Sequence, residues 1–262
     1  MIHDQYTEKL SFPVRSMTKL TETIWSMVIE CPSVAEQAVP GQFVHLLPEG
    51  DFTLRRPISI CEIDRQEGAL RLVFEVRGKG TAVLAALKPG DTVNMLAPLG
   101  HGFTLLSRES RVILVGGGIG TPPMLPLAKH YGENAVMISG FRSEQQVILQ
   151  ADFAETGTET ILCTDDGSAG VKGLVTVPLA AAISTKKPDL ICACGPMPML
   201  RGVAALAKQN GIPCEVSLEE RMGCGIGACL VCACQTVDRN GDTQFLHVCK
   251  NGPVFNAEEV VW

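Results

Sequence analysis

Val112-Ile-Leu-Val-Gly116-Gly-Gly-Ile-Gly120-Thr-Pro-Pro123 joins an apolar run to a glycine loop, and a helical stretch begins near its end. A short apolar run bounded by glycine reads as a strand buried on both faces. Strand, glycine loop and helix in that order are what a dinucleotide pyrophosphate site requires. Glycine lets the backbone approach the phosphates, and a helix N-terminus favours negative charge there. The loop is not a strict G-x-G-x-x-G. The acidic residue expected about 20 positions on is replaced by Gly140-Phe141-Arg142. A tight packing turn is therefore a competing reading. The nucleotide candidates are Gly117, Gly118, Gly120 and Thr121, with Asp166 after a later strand. Cys194-Gly195-Pro196 is a second glycine site, also at a strand's C-terminal end.

Outward from this loop, residues 107–213 alternate apolar strands with helical stretches. Strands are expected at 112–115, 135–139, 160–164 and 190–193. Helical stretches are expected at 124–131, 143–148, 174–183 and 197–209. That alternation predicts a Rossmann-like parallel α/β sheet covered on both faces. Before it, residues 1–106 hold short β-branched and aromatic runs at 23–30, 42–47, 58–63, 69–76 and 92–96. Turn pairs such as Pro40-Gly41 and Pro89-Gly90 separate them, and one helical stretch lies at 82–87. This pattern predicts an antiparallel sandwich or barrel. Residues 214–262 form a cysteine-bearing appendage.

Composition narrows the function. The 262 residues are 46% hydrophobic and 19% charged, with a formal net charge of −6. No basic stripe suggests nucleic acid, and an acidic surface does not favour anionic membranes. No apolar run approaches bilayer length, and residues 1–10 do not read as a signal peptide. A cytoplasmic chain is expected, in which the eleven cysteines are not expected to pair as disulfides.

Five of those cysteines crowd the last stretch: Cys224, Cys229, Cys232, Cys234 and Cys249. The first three have the spacing C-x4-C-x2-C of the plant-type [2Fe–2S] pattern, with Cys249 further on. Gly223, Gly225, Gly227 and Ala228 fill the loop, so it can fold tightly and aim backbone N–H groups at sulfur. Asn240-Gly241 is a two-residue hairpin signal, and such a turn would set Cys249 directly opposite Cys232. Cys234 competes as a ligand. A zinc site or buried apolar thiols are the other readings of the group. Arg55-Arg56-Pro57-Ile58-Ser59 pairs a guanidinium with a hydroxyl, which can hold a phosphate; an ordinary surface arginine pair is the alternative.

Taken together, these motifs resemble the ferredoxin–NADP reductase superfamily. Arg56-Pro57-Ile58-Ser59 is similar to its flavin element, Gly116–Pro122 to its glycine loop, and Cys194-Gly195-Pro196 to its nicotinamide segment. The likeness narrows to one family, the dihydroorotate dehydrogenase B electron-transfer subunits, and covers nearly the whole chain. Its most specific part is Met222-Gly-Cys-Gly-Ile-Gly-Ala-Cys-Leu-Val-Cys232, followed by Cys249 and Gly252-Pro-Val-Phe255.

That resemblance implies an oxidoreductase subunit with three cofactors. FAD would be held by Arg56, Pro57, Ile58, Ser59, Val73, Phe74, Glu75, Gly80 and Thr81. A [2Fe–2S] cluster would sit on Cys224, Cys229, Cys232 and Cys249. NAD would be the nucleotide, although Arg142 could suit a 2′-phosphate. The implied partner is an FMN-containing dihydroorotate dehydrogenase catalytic subunit, in a heterotetramer of two copies of each. Electrons would pass from FMN through the cluster and FAD to NAD⁺ in pyrimidine biosynthesis. A related reductase subunit, of a ferredoxin:NADP oxidoreductase or a sulfide dehydrogenase, is the alternative. A zinc-stapled interaction module is a more distant one. No acid–base triad is required, and His3, His45, His101, His130 and His247 are scattered. Residues 215–222 and the cysteine loop are expected to face the partner.

Overall fold

A computed structural model describes residues 10–238 and 240–262; His3 and most of the first ten residues fall outside it. The N-terminal part closes into a six-stranded antiparallel barrel. Its strands are β1 (Ser11–Lys19), β2 (Ile24–Glu30), β3 (Phe43–Leu47), β4 (Arg56–Asp64), β5 (Ala69–Glu75) and β6 (Thr92–Leu99), in the order β1-β2-β5-β4-β3-β6. Closure leaves no free sheet edge. The barrel is filled by Met27, Ile29, Leu46, Ile60, Leu70, Leu72, Phe74 and Met95, all essentially without exposure. Among the described residues two short helices are attached, α1 (Pro32–Gln37) and α2 (Lys79–Ala85).

β1 was not among the expected strands. Pro13 and Arg15 lower its strand signal, because proline cannot donate to a ladder. Closure tolerates them: Pro13 stands at the end of the β1–β6 pairing, opposite Thr92.

The second part is a seven-stranded sheet. Its strands are β7 (Val112–Gly117), β8 (Ala135–Phe141), β9 (Glu159–Thr164), β10 (Val171–Lys172), β11 (Leu190–Cys194), β12 (Cys214–Ser217) and, after the cysteine lobe, β15 (Val254–Asn256). The order is β10-β9-β8-β7-β11-β12-β15, parallel except for the last pair. Four helices accompany it: α3 (Leu125–Tyr131), α4 (Gln150–Glu155), α5 (Thr176–Thr185) and α6 (Met197–Gln209). The helix expected at 143–148 is only a single turn at Glu144–Gln146, and α4 comes after it. Leu149, at φ 61, separates the two.

Residues 214–262 do not stand apart from this sheet. β12 pairs with β11 and β15 pairs with β12, so the sheet takes in both ends of the segment. Between them lies a lobe with one hairpin, β13 (Ala233–Val237) and β14 (Thr243–His247). Cys232, Val248 and Cys249 share a core with Ile113, Val115 and Val216 of the sheet. The barrel joins the sheet in the same way, through Ile24, Cys61 and Val73 packed with Val112, Leu114 and Leu125. Arg71 of β5 also pairs with Asp152 of α4 and with Glu62, which takes Lys129 of α3.

A three-part candidate redox site

Where β4 and β5 run together, Ile60 faces Leu72 and the pairing continues to Asp64 and Ala69. Before Ile60 and beyond Leu72 the two strands part. Residues 56–59 keep their pairing with β3, and Val73–Glu75 keep theirs with β2. Their other sides are left open to a cavity of about 710 Å³. Arg56, Pro57, Ile58, Ser59, Val73, Phe74, Glu75 and Thr81 all line it. Phe74 is buried in the barrel core, so it offers main chain to the cavity. Gly80 lies behind the wall, where a Cβ would come within 2.5 Å of the Arg56 guanidinium.

Arg56 is fixed in place by its own strand and a neighbouring ring. Its Nη1 donates to the carbonyls of Leu54 (2.6 Å) and Arg55 (3.2 Å), and its guanidinium lies over the Phe52 ring. Thr81 Oγ1 accepts from the N–H groups of Arg77 and Gly78, which fixes the turn into α2.

A second cavity of about 800 Å³ opens at the C-terminal ends of the parallel strands, where open α/β sheets bind ligands. Gly117, Gly118, Gly195 and Pro196 line it. Gly120, Thr121 and Cys194 do not: they are buried behind the loop. Asp166 does not line it either; its carboxylate accepts from Ser168, and Asp165 takes the place at the wall. Arg142 lines it as well.

Gly120 still matters to that cavity. A Cβ there would stand 2.4 Å from the Cys194 carbonyl oxygen, which is main chain and cannot rotate away. The two glycine loops touch at this point. We expect Gly120→Ala to push them apart and slow flavin reduction by NADH at least about tenfold. Flavin content should stay at the wild-type level; stopped-flow absorbance measures both.

The two cavities share a wall made of Glu75, Arg77, Ile119 and Glu219. None but Glu75 was singled out in the sequence, because they come from three separate loops. Glu219 is exposed to the space of both cavities. Burial raises its carboxyl above the ordinary range, with Arg77 pulling it back. The segment 217–222 lines the first cavity. Of residues 215–222, expected to face a partner, Glu215–Ser217 belong to strand β12, and residues 217–222 line the first cavity with Glu219, Glu220 and Arg221 exposed.

That segment runs straight into the cysteine loop. Main-chain N–H groups of Ile226 and Ala228 donate to Cys224 Sγ (3.5 and 3.3 Å), and that of Gly227 donates to Cys249 Sγ (3.1 Å). The N–H of Ile226 leads in lowering the Cys224 thiol to about 6. Burial pushes Cys249 up to about 12, with Cys232 adding to it. The thiols stand as two pairs, Cys224 with Cys229 and Cys232 with Cys249. Among the described residues no three such side chains converge on a point for one metal ion.

The hairpin register differs from the expected one. Ala233 faces His247, and the N–H of Val248 donates to the Cys232 carbonyl at 3.0 Å. Cys232 is thus opposite Val248, not Cys249. The turn is longer than Asn240-Gly241: the Asp238 carboxylate accepts from the N–H groups of Asn240 and Asp242, and the N–H of Asp238 donates to the Asp242 carbonyl. An odd loop shifts the register by one. Cys249 reaches Cys232 from the turn beyond β14 instead. Cys234 packs with the core, and burial raises its thiol to about 11.

Residues 219–261 match the family model described as the iron-sulfur cluster binding domain of dihydroorotate dehydrogenase B. The electron transfer subunit of dihydroorotate dehydrogenase B (NAD(+)) from Geobacillus kaustophilus (strain HTA426) is 43% identical over 255 residues, covering 95% of this chain and 96% of the relative. The chain belongs to the family of dihydroorotate dehydrogenase B electron transfer subunits. The subunit from Desulforamulus reducens is 40% identical over 90% of the chain and 92% of its own length. A solved structure of NADH-dependent reduced ferredoxin-NADP oxidoreductase, studied for flavin-based electron bifurcation, superposes with a TM-score of 0.83 at 32% identity. It covers 96% of this chain and 90% of its own. As an electron transfer subunit of this family, the protein is the electron-carrying part of an oxidoreductase. No helix among the described residues is long and apolar enough to cross a membrane.

Proposed function

We propose that this chain carries electrons between the FMN of a dihydroorotate dehydrogenase catalytic subunit and NAD⁺, through a [2Fe–2S] cluster and FAD. One observation carries the reading: the two cavities share a wall, and the segment that lines the first reaches Met222, two residues before Cys224. Three sites therefore lie side by side in one connected structure.

The residues present suit each group. Two thiol pairs among small residues, with N–H groups aimed at sulfur, match the needs of a two-iron cluster. Arg56 offers Nε and Nη2 to a pyrophosphate, since Nη1 alone is engaged by carbonyls. The open main chain of residues 56–59 and 73–75 offers donors and acceptors to a flavin ring. The glycine loops at 117–118 and 195–196 admit a dinucleotide close to the sheet. When bound, the cluster takes single electrons, FAD bridges one- and two-electron transfer, and NAD accepts a hydride. The chain's own task is to hold these groups in line. No side-chain acid or base is needed for that.

The face presented to the catalytic subunit is the cysteine loop itself. Ile226, Leu230 and Val231 within it are each more than half exposed, as is Phe245 on β14. An apolar patch of that kind beside a cluster suits a partner surface. We place the assembly in the cytoplasm as two copies of each chain, and assign Gly120, Thr121 and Cys194 to supporting the nucleotide loops. The 43% identity to dihydroorotate dehydrogenase B subunits favours this reading over a ferredoxin-linked one.

The test is co-expression with an FMN-containing dihydroorotate dehydrogenase subunit. The purified complex should contain FMN, FAD, iron and sulfide, and should reduce NAD⁺ when given dihydroorotate. A catalytic subunit that neither co-purifies nor supports this reaction would overturn the assignment.

A further inference from the structure

His45 lies on β3 with no exposed surface, and among the described residues its ring nitrogens make no well-formed hydrogen bond, only loose approaches to the main chains of Arg55 and Cys224. A buried polar group so loosely partnered is costly, so its position asks for a reason. On one side is the flavin cavity: Pro57, which lines it, is the cross-strand neighbour of His45, and Phe43 lines it from the same face of β3. On the other side is the cysteine loop. Gly225, at φ +74, approaches so closely that a Cβ would stand 2.4 Å from His45 Nδ1. The main chains of Arg55 and Cys224 flank the ring. Arg55 Nη1 donates to the His45 carbonyl (3.2 Å) and to that of Asn94 (3.3 Å), which pins the strand.

We infer that His45 is a positioning residue for the electron step between flavin and cluster. Its ring seats the Cys224–Gly225 corner of the loop on the strand that walls the flavin cavity, and so sets the gap the electron crosses. The inference rests on the relay reading above. In the reverse direction a bound flavin would take a hydride from NADH and a proton from solvent, leaving NAD⁺, and would then pass one electron to the oxidised cluster and keep the other.

The experiment uses the purified flavin- and cluster-loaded chain under anaerobic conditions, mixed with NADH. Stopped-flow absorbance follows flavin reduction, and freeze-quench electron paramagnetic resonance follows cluster reduction. In His45→Ala we expect flavin reduction within about twofold of wild type and cluster reduction slowed about tenfold or more, the scale of small misplacements at a reacting pair. The resonance of the reduced cluster should broaden. His45→Asn, which keeps a polar atom where Nδ1 stands, should recover most of the rate. Gly225→Ala should slow the same step in the wild-type background and add little in His45→Ala, since both changes act on one contact.

If His45→Ala fails to load its cluster, Gly225→Ala decides: a wild-type rate of cluster reduction there overturns the inference. Wild-type cluster reduction in a fully loaded His45→Ala does the same. A wild-type protein in which NADH reduces neither group removes the relay reading itself. A wild type that relays beside an equally fast His45→Ala removes only the role of His45.

Discussion

Replacing Cys229 with serine is expected to abolish the paramagnetic signal of the reduced protein while leaving its flavin absorbance in place. Cys229 forms one of the two thiol pairs with Cys224, across a loop of small residues. A hydroxyl is a hard, weakly acidic ligand where iron–sulfur chemistry wants a soft thiolate. Loss of an outer-shell partner already costs metal sites roughly 10- to 100-fold in affinity. Removing a ligand should cost more, and iron content should fall with the signal. The barrel core contains none of the loop cysteines, so the flavin site should survive the change. Iron analysis and low-temperature resonance give the answer. An unchanged signal, or zinc found in the wild-type protein in place of iron, would sink the cluster.

Arg56→Ala should have an effect of similar size on the other cofactor. The side chain is oriented by the Leu54 and Arg55 carbonyls and the Phe52 ring, and it enters the cavity with two nitrogens free. Truncating one member of a buried, charged pair costs about 2–5 kcal/mol. That corresponds to flavin binding weaker by roughly 30- to several thousand-fold. The variant should purify nearly colourless in the flavin band, with its cluster spectrum retained. Arg56→Lys should restore only part of the binding, because an ammonium lacks the planar fork. Full flavin occupancy in Arg56→Ala would remove this residue from the site.

Much of the architecture is legible along the chain because burial is periodic. The apolar runs at 112–115 and 190–193 are strands hidden on both faces, and their alternation with helical stretches points to a covered parallel sheet. β1 is illegible for the opposite reason, since its pairing overrides a weak local signal. The hairpin shows how a side chain defeats a turn rule: Asp238 captures two N–H groups and lengthens the loop around Asn240-Gly241. Local spacing could announce the cysteines and the arginine–serine element. It could not announce Arg77, Ile119 or Glu219, which meet only after the barrel has packed on the sheet. His45 shows the limit most sharply, since its neighbour Gly225 lies far along the chain.

The lobe between β12 and β15 has both stems fastened. Ser217 leaves the sheet opposite Val254, where the chain returns, and the N–H of His101 holds the Gly252 carbonyl at 2.6 Å. A carrier hung from one flexible stalk samples many separations and so passes charge with a spread of lifetimes. A carrier clamped at entry and exit has one separation. Electron passage inside this subunit should accordingly follow a single exponential, whatever the viscosity of the medium.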